Sequence, residues 1–136
     1  MDMVAKKPIA AANGSAALAV KQVNLIFRAF SDHTRLRILN LLSGGELCVC
    51  DIVDVLKLSQ PKVSRHLAYL RRAGLVLARR DGLWMHYRLA DAAKPVHRNL
   101  LQCLTGCLSD VPLLSRDRAL LDQRTCRKTA VTGCCS

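Results

Sequence analysis

Apolar side chains recur every three or four residues along this chain, which is the period of a helix with one buried face. In the first half of the chain the pattern predicts three helices, over about residues 16–30, 32–43 and 50–57. Ser31 or Asp32 can cap the second helix at its start, and the glycines at 44 and 45 end it. These three helices precede the segment with the clearest pattern.

The fourth predicted helix has two chemically different faces. Ser59 caps it, and Pro61 lies in its first turn, where the missing N–H costs little. At about 100° per residue, Val63, Leu67 and Leu70 lie on one side. The opposite side carries Lys62, Arg65, Tyr69 and Arg72. We therefore expect one face of this helix to pack on the core and the other to be basic.

A change of period follows Gly74. Residues 75–89 are predicted to form two short strands joined by Asp81-Gly82, a dipeptide that favours a type I′ turn because both central residues need positive φ. Arg79 and Arg80 lie at the tip. Helix, tight turn, capped basic helix and basic hairpin follow one another as in a winged helix-turn-helix, whose second helix enters the major groove. The predicted fold is mainly α with a β-hairpin wing.

The flanking segments divide the chain further. Residues 1–15 are predicted to be a flexible tail, residues 16–108 the DNA-binding and dimerisation domain, and residues 109–136 a partly disordered C-terminal extension with one possible helix near 113–123. A fifth helix, ending near residue 108, carries an apolar stripe that a small domain cannot readily bury alone. The stripe consists of Val96, Leu100, Cys103, Leu104 and Cys107. We therefore expect a homodimer.

The charge of the chain favours a polyanionic partner. The 136 residues carry a formal net charge of +11, and residues 59–90 hold seven Arg or Lys against one acid. Such a protein gains affinity for nucleic acid by releasing counterions. No apolar run approaches the ~18 residues of a membrane span, so a soluble, cytoplasmic protein is expected. The basic segment and the winged helix-turn-helix pattern together predict double-stranded DNA as the partner. The predicted DNA contacts are Ser59, Gln60, Lys62, Ser64, Arg65, His66, Tyr69, Arg72, Arg79 and Arg80.

Seven cysteines, an odd number, favour a reducing compartment and thiol chemistry. Cys48 and Cys50 stand just before the third helix, and soft metal ions prefer such thiolates. On an ideal helix the two side chains point about 200° apart, so binding one ion needs a non-helical backbone. At a helix N-terminus this distortion costs least, and the helix dipole lowers thiol pKa values there. The alternative is that both residues are small apolar fillers of the core.

The other cysteines are more ambiguous. Cys103 and Cys107 lie four apart on the fifth helix, where they pack in a core or dimer seam, or supply a third thiolate or a second soft-metal site. The sequence assigns no role to Cys126, Cys134 or Cys135 in the polar tail.

Four segments together resemble the ArsR/SmtB family of metal-sensing repressors, in its arsenite-responsive branch. They are SDHTRLRILNLL, ELCVCDI, LSQPKVSRHLAYLRRAGLV and RRDGLWMHYRL, within about residues 20–105. The resemblance implies a homodimer that binds the operator of its own resistance operon and leaves when a thiophilic ion binds. It also implies that DNA binding needs no cofactor and that As(III) or Sb(III) is the inducer. Cys48 and Cys50 match the first two thiols of the family's arsenite motif, but Val53 occupies the position of the third.

Two other classes of function compete with this interpretation. The input of the repressor could be another soft metal (Cd, Pb or Zn) or thiol oxidation, although a disulfide between residues two apart is strained. A thiol-based arsenate reductase commonly needs an Arg six residues after its nucleophilic Cys. The residues six after Cys48, Cys103 and Cys107 are Asp54, Ser109 and Leu113. The chain is therefore predicted to be a regulator and not an enzyme.

Overall fold

A computed structural model of the chain describes residues 13–91 and 94–131. This part contains six helices and three strands. They are α1 Asn13–Phe30, α2 His33–Leu42, β1 Leu47–Cys48, α3 Val49–Leu56, α4 Gln60–Arg72, β2 Val76–Asp81, β3 Trp84–Leu89, α5 Pro95–Gly106 and α6 Pro112–Val131. Most of the predicted N-terminal tail (residues 1–12), together with Cys134 and Cys135, lies outside the described residues.

Helices α3 and α4 form the helix-turn-helix. The chain leaves α3 through Lys57, which adopts a left-handed conformation with φ of 57°, and re-enters a helix after Ser59. The Ser59 hydroxyl accepts a hydrogen bond from the Lys62 backbone N–H at 3.4 Å, as predicted for the cap. The apolar face of α4 is fully buried, since Val63, Leu67 and Leu70 are each 0% exposed. The predicted division of α4 into a packed face and a basic face is confirmed.

The wing is part of a three-stranded antiparallel sheet with the order β1-β3-β2. The sequence pattern did not predict β1, because two residues are too few to show a period. Its Leu47 pairs with Tyr87 and its Cys48 pairs with His86. Strand β1 therefore joins the segment before α3 directly to the wing.

The turn of the wing lies one residue later than predicted. Asp81 pairs with Trp84, so the two central residues are Gly82 and Leu83. Only Gly82 of the two has a positive φ, of 65°. A glycine at the first central position is the pattern of a type II′ turn, not of the predicted type I′.

Helix α6 packs against α2 and α3. Its Leu114 and Leu121 belong to the same buried core as the other helices. Asp117, which is 0% exposed, accepts two hydrogen bonds from the Arg37 guanidinium on α2, at 2.8 and 2.9 Å. The sequence pattern indicated one possible helix near 113–123. The structure has a helix of 20 residues there, and its polar side chains contact α2 and α3.

Helices α1 and α5 retain exposed surface. Ile26 and Ala29 of α1 and Leu104 of α5 are buried, whereas Val20 is 68% and Phe27 50% exposed. The first helix begins at Asn13, three residues before the predicted start. Among the residues described, no helix is long and apolar enough to cross a membrane.

Candidate metal centre and nucleic-acid interface

Cys48 and Cys50 lie together in this structure. The Cys50 thiol donates to Cys48 Sγ at an Sγ–Sγ distance of 2.8 Å, and the Cys50 backbone N–H points at the same sulfur at 3.4 Å. The reason is the backbone of Cys48, which is the N-cap of α3 with φ of −75° and ψ of 148°. Because this residue is extended, its side chain does not follow the helical rotation that would separate the two sulfurs.

The non-helical backbone that the sequence required for ion binding is therefore already present. Two thiolates at about 2.3 Å from one ion, the length of a zinc–sulfur bond, lie about 3.8 Å apart in tetrahedral geometry. The sulfurs need to separate by only about 1 Å to reach that spacing. No remodelling of the whole first turn of α3 is needed to bring both thiols onto one ion.

Burial, followed by the hydrogen bond to Cys48 and the charge of Asp51, raises the pKa of the Cys50 thiol to about 11. This direction is opposite to the lowering expected from a helix N-terminus. The helix dipole is outweighed because the thiol lies next to a carboxylate and is partly removed from water. Without an ion, Cys50 is therefore a neutral thiol at neutral pH.

Two basic side chains of α6 bind the carboxylates of α3. Arg124 donates from Nε to Asp51 and from Nη1 to Asp54, both at 2.7 Å, and Lys128 also donates to Asp51. Burial by itself would raise the pKa of Asp51, but the hydrogen bonds from Lys128 and Arg124 hold it below the ordinary value. Sequence reasoning missed these contacts, because nothing in the local pattern relates residues 70 or more positions apart.

Cys103 and Cys107 form a second thiol pair on α5. Both are exposed, and the hydrogen bond between them raises the pKa of Cys103. Within the described ranges, Cys, His, Asp and Glu side chains nowhere form a group of three or more suited to a metal ion. The structure thus shows two separate pairs, and no third thiolate joins Cys48 and Cys50 among these residues. Cys126 lies exposed on α6.

The predicted DNA contacts on α4 divide by exposure. Ser59, Gln60, Lys62, Arg65 and Arg72 are exposed, while Ser64, His66 and Tyr69 are half-buried. The ring of Tyr69 lies beneath two guanidinium groups, with its centroid 4.0 Å from Arg35 and 5.0 Å from Arg72. Arg35 was not among the predicted residues, yet it adds a cation at the edge of this face.

His66 is turned toward the start of α2. Its Nδ1 is 3.8 Å from the carboxylate of Asp32, which caps α2. Burial lowers the pKa of His66, with the charge on Asp32 opposing that effect. His66 therefore has an intramolecular neighbour at the edge of the basic face.

The two arginines of the wing differ in their surroundings. Arg79 forms a two-pronged ion pair with Glu46, at 2.6 and 3.1 Å. Arg80 is exposed and has no ion pair within the described part of the chain. To bind Arg79, a phosphate group would have to displace Glu46. It would bind Arg80 without displacing a carboxylate.

The sequence of this chain is similar to those of bacterial regulatory proteins. Residues 32–77 match the family described as "Bacterial regulatory protein, arsR family". The "Arsenical resistance operon repressor" of Escherichia coli K12 is 58% identical over 66 residues, covering 48% of this chain and 56% of that protein. A protein of the same name from Staphylococcus aureus is 41% identical over 75 residues, covering 55% of this chain and 72% of the relative. The chain thus spans about half the length of the Escherichia coli relative.

Solved structures also share the fold. A homodimeric winged helix-turn-helix DNA-binding domain from Mycobacterium bovis has a TM-score of 0.60 and 33% identity, covering 74% of this chain and 90% of that one. HlyU from Vibrio cholerae has a TM-score of 0.57 and 31% identity, covering 65% of this chain and 96% of that one. These similarities confirm the predicted winged helix-turn-helix.

Proposed function

Because this chain belongs to the ArsR family of bacterial regulatory proteins, we propose that it is a transcriptional repressor released from operator DNA by arsenite or antimonite. The observation that carries the proposal is the pair of thiols at Cys48 and Cys50, 2.8 Å apart at the junction of the wing sheet with α3. The names of the Escherichia coli and Staphylococcus aureus relatives, which are arsenical resistance operon repressors, support the choice of inducer.

The ligand exchange at the thiols balances without any redox step. Arsenous acid carries three hydroxyl groups on trivalent arsenic. Two As–O bonds break and two As–S bonds form, and each thiol proton leaves with a hydroxyl group as water. The raised pKa of Cys50 does not prevent the exchange, because the departing hydroxyl accepts the proton. Arsenic keeps its third hydroxyl group, since Val53 stands where the family has a third thiol.

Binding at the thiols acts on two elements that face DNA. Cys48 is paired with His86 of the wing, and Ile52 and Val55 of α3 share the buried core with Val63 of α4. Bonding both sulfurs to one ion changes their spacing and so moves the first turn of α3 relative to the edge of the wing sheet. A coupling of about 2.7 kcal/mol between the two sites weakens DNA binding about 100-fold.

The DNA-binding unit in this proposal is a homodimer in the cytoplasm, and DNA binding itself uses no cofactor. One α4 covers a half-site, with Arg65 reading base edges and Arg80 contacting phosphate. The exposed Val20 and Phe27 of α1 supply apolar surface for a second copy. Sedimentation of the full chain should give a dimer at micromolar concentration without DNA, and a monomer would contradict this part of the proposal.

The test of the proposal is operator binding measured by fluorescence anisotropy. A duplex selected by the protein from a randomised pool is titrated first with protein and then with arsenite. The double variant Cys48→Ser, Cys50→Ser should bind the duplex nearly as tightly as the wild type and resist arsenite. The matched control is Cys103→Ser, Cys107→Ser, which alters an equal number of thiols and should still be released.

Two results would contradict the proposal. If the Cys48→Ser, Cys50→Ser variant leaves DNA at the wild-type arsenite concentration, the sensing thiols lie elsewhere in the chain. If the wild type is released by peroxide but not by arsenite, the pair responds to oxidation.

A further inference from the structure

A small polar cavity lies where the end of α2, the end of α5 and the start of α6 meet. Its volume is about 180 Å³. This is below the range of about 300 to 1,000 Å³ that is typical of sites for drug-sized ligands, so an occupant must have few heavy atoms. The cavity shares no residue with the thiol pair or with the basic face of α4. It is lined by Asn40, Ser43, Thr105, Ser109, Leu114, Ser115 and Arg118.

The lining of this cavity combines a cation with hydroxyl groups. Among the described residues that line it, four carry a hydroxyl group, Arg118 carries a positive charge, and none is acidic. Hydroxyl groups can donate hydrogen bonds to an anion, and a guanidinium offers several donors together with a full charge. A lining of this composition favours an anion over a metal ion or an apolar molecule.

Arg118 lacks the carboxylate partner that other arginines at the α6 interface have. Arg37 and Arg124 each pair with an aspartate, at 2.8 and 2.7 Å. The Nη2 atom of Arg118 instead donates to two neutral acceptors, the backbone carbonyl of Asn40 and the hydroxyl of Ser43. Since the Arg118 side chain is half-buried, its charge is partly removed from water without a counter-ion. A bound anion would supply that counter-ion.

Two carboxylates lie on the other side of the guanidinium, in a second cavity that Arg118 also borders. They belong to Glu46 and Asp122. Glu46 already accepts two hydrogen bonds from Arg79. In the part of the chain that the structure describes, neither carboxylate forms an ion pair with Arg118. The charge of Arg118 is therefore available to the acid-free cavity.

Three of the hydroxyl groups can turn toward an anion at little cost. Thr105, Ser109 and Ser115 donate to carbonyl oxygens three or four residues earlier, at 3.2 to 3.4 Å. These bonds are long, since hydroxyl hydrogen bonds are commonly about 2.7 to 2.8 Å. A hydrogen bond to an ionised acceptor is about twice as strong as one between neutral groups. Exchange of a long bond to a carbonyl for a bond to an anion is therefore favourable.

We propose that this cavity binds a tetrahedral oxyanion of the phosphate class, held by the guanidinium of Arg118 and by the hydroxyl groups of Thr105, Ser109 and Ser115. Inorganic phosphate and the terminal group of a small phosphate monoester share this chemistry. Such a group has several acceptor oxygens that point in different directions, and the donors here come from different elements. The inference does not depend on the identity of the inducer.

The bound oxyanion would connect α5 and α6 to the end of α2. Arg118 of α6 is already hydrogen-bonded to Ser43, which follows α2, and Thr105 and Ser109 lie on either side of the last residue of α5. An anion that binds all of these groups in the folded chain alone stabilises that state by mass action. Phosphate should therefore raise the unfolding temperature and strengthen the docking of α6.

The experiment is isothermal titration calorimetry of the full-length, reduced protein with sodium phosphate at pH 7, with ionic strength held constant by sodium chloride. We expect one site per chain with a dissociation constant of about 1 mM or lower. Arg118→Gln should abolish this binding. The matched control is Arg116→Gln, which removes the same charge from an exposed position of α6 outside the cavity and should bind phosphate like the wild type.

Two further variants keep Arg118 in the chain. A Cβ atom at Gly44 would collide with Arg118 Nη1, so Gly44→Ala displaces the guanidinium without removing its charge. Ser109→Ala combined with Ser115→Ala removes two exposed hydroxyl groups, a change that should leave the fold intact. Each of these variants should weaken phosphate binding at least about tenfold, because charge-assisted hydrogen bonds are lost.

Equal phosphate affinity in the wild type, Arg118→Gln and the double serine variant overturns the inference, because the anion is then attracted only by the net charge of the chain. A loss of duplex binding in Arg118→Gln with unchanged phosphate affinity also overturns it, since the guanidinium then contacts DNA. Titration with glycerol phosphate distinguishes the two sources of the oxyanion. Binding as tight as that of inorganic phosphate assigns the cavity to the end of a monoester, and absence of binding assigns it to the free ion.

Discussion

Replacement of Asp117 by alanine should destabilise the chain strongly, because it leaves a cation without its partner. Asp117 is 0% exposed and receives two hydrogen bonds from Arg37, whose side chain is only 14% exposed. Removing one member of a buried ion pair costs about 3–5 kcal/mol. Arg37 retains a small contact with water, so we expect the lower end of that range, about 3 kcal/mol.

The loss should appear in thermal and urea unfolding followed by circular dichroism. In a chain of this size each kcal/mol shifts Tm by about 4 °C, so Asp117→Ala should lower Tm by about 12 °C. Protein concentration must be the same in all samples, since dimerisation makes Tm depend on it. The matched control is Asp122→Ala, which removes an exposed aspartate from the same helix and should change stability by less than about 0.5 kcal/mol.

A second variant separates the ion pair from the packing. Arg37→Met with Asp117→Leu removes both charges and keeps apolar volume, so it should recover most of the lost stability. A loss below about 1 kcal/mol for Asp117→Ala would refute the docking of α6 on α2 described above, because an undocked helix leaves both charges in water.

Three further predictions concern DNA recognition, the cap of α4 and pH. Arg65→Ala should abolish sequence-specific operator binding, with about 1–3 kcal/mol of discrimination between sequences lost. Arg80→Ala should weaken binding to all duplexes alike and reduce the dependence of affinity on salt concentration. Equal losses of specific and non-specific binding for Arg65→Ala would contradict its role in reading base edges. Ser59→Ala should lower the free energy of unfolding by about 1 kcal/mol, because the N-cap of α4 is lost. Ser59→Asp should retain most of the wild-type stability, since Asp also caps helices. An unchanged midpoint of urea unfolding in Ser59→Ala would show that the cap contributes nothing. His97 is buried, its Nε2 has no hydrogen-bond partner among the described residues, and burial lowers its pKa. The stability that depends on a neutral His97 is therefore fully present above the unfolded-state pKa of about 6.5 and is lost as the pH falls toward the lower pKa of the folded state. The free energy of unfolding of His97→Leu should therefore fall less between pH 7 and pH 5 than that of the wild type. Identical losses in urea unfolding of the two proteins would exclude His97 as the cause.

Where side-chain chemistry and helical period agree, the sequence predicted the structure well. The cap at Ser59 and the buried stripe of α4 are local features, and each is specified within a few residues. The predicted family is confirmed, since the chain belongs to the ArsR family of bacterial regulatory proteins. The assignment of individual metal-binding and DNA-contact residues is more specific than the assignment of the family, and it stays a prediction.

The features that sequence reasoning missed depend on distant partners. In α6 a buried Asp117 interrupts the apolar face, so the period of the helix is hidden. Its presence inside makes sense only with Arg37, 80 residues earlier. Strand β1 exists because β3 supplies its hydrogen bonds, and Arg124 is positioned by Asp51 and Asp54 of α3. Long-range partners of this kind leave no periodic signal in the segment itself.

The two interpretations of the cysteine pair, as core filler and as ion site, are compatible in this geometry. Cys48 is 8% exposed and belongs to the core cluster, while Cys50 is half-buried and lines a surface groove between α3, the tip of the wing and α6. A sulfur that packs in the core cannot move without disturbing its neighbours, since protein interiors are close-packed. In the proposed mechanism, therefore, any displacement on binding falls mainly on Cys50 and on α3, whose Asp51 is bound from the other side by Arg124 and Lys128. In the proposed mechanism the ion therefore acts against the ion pairs that hold α3 to α6, and weakening those ion pairs should make the free protein adopt the DNA-releasing state more easily.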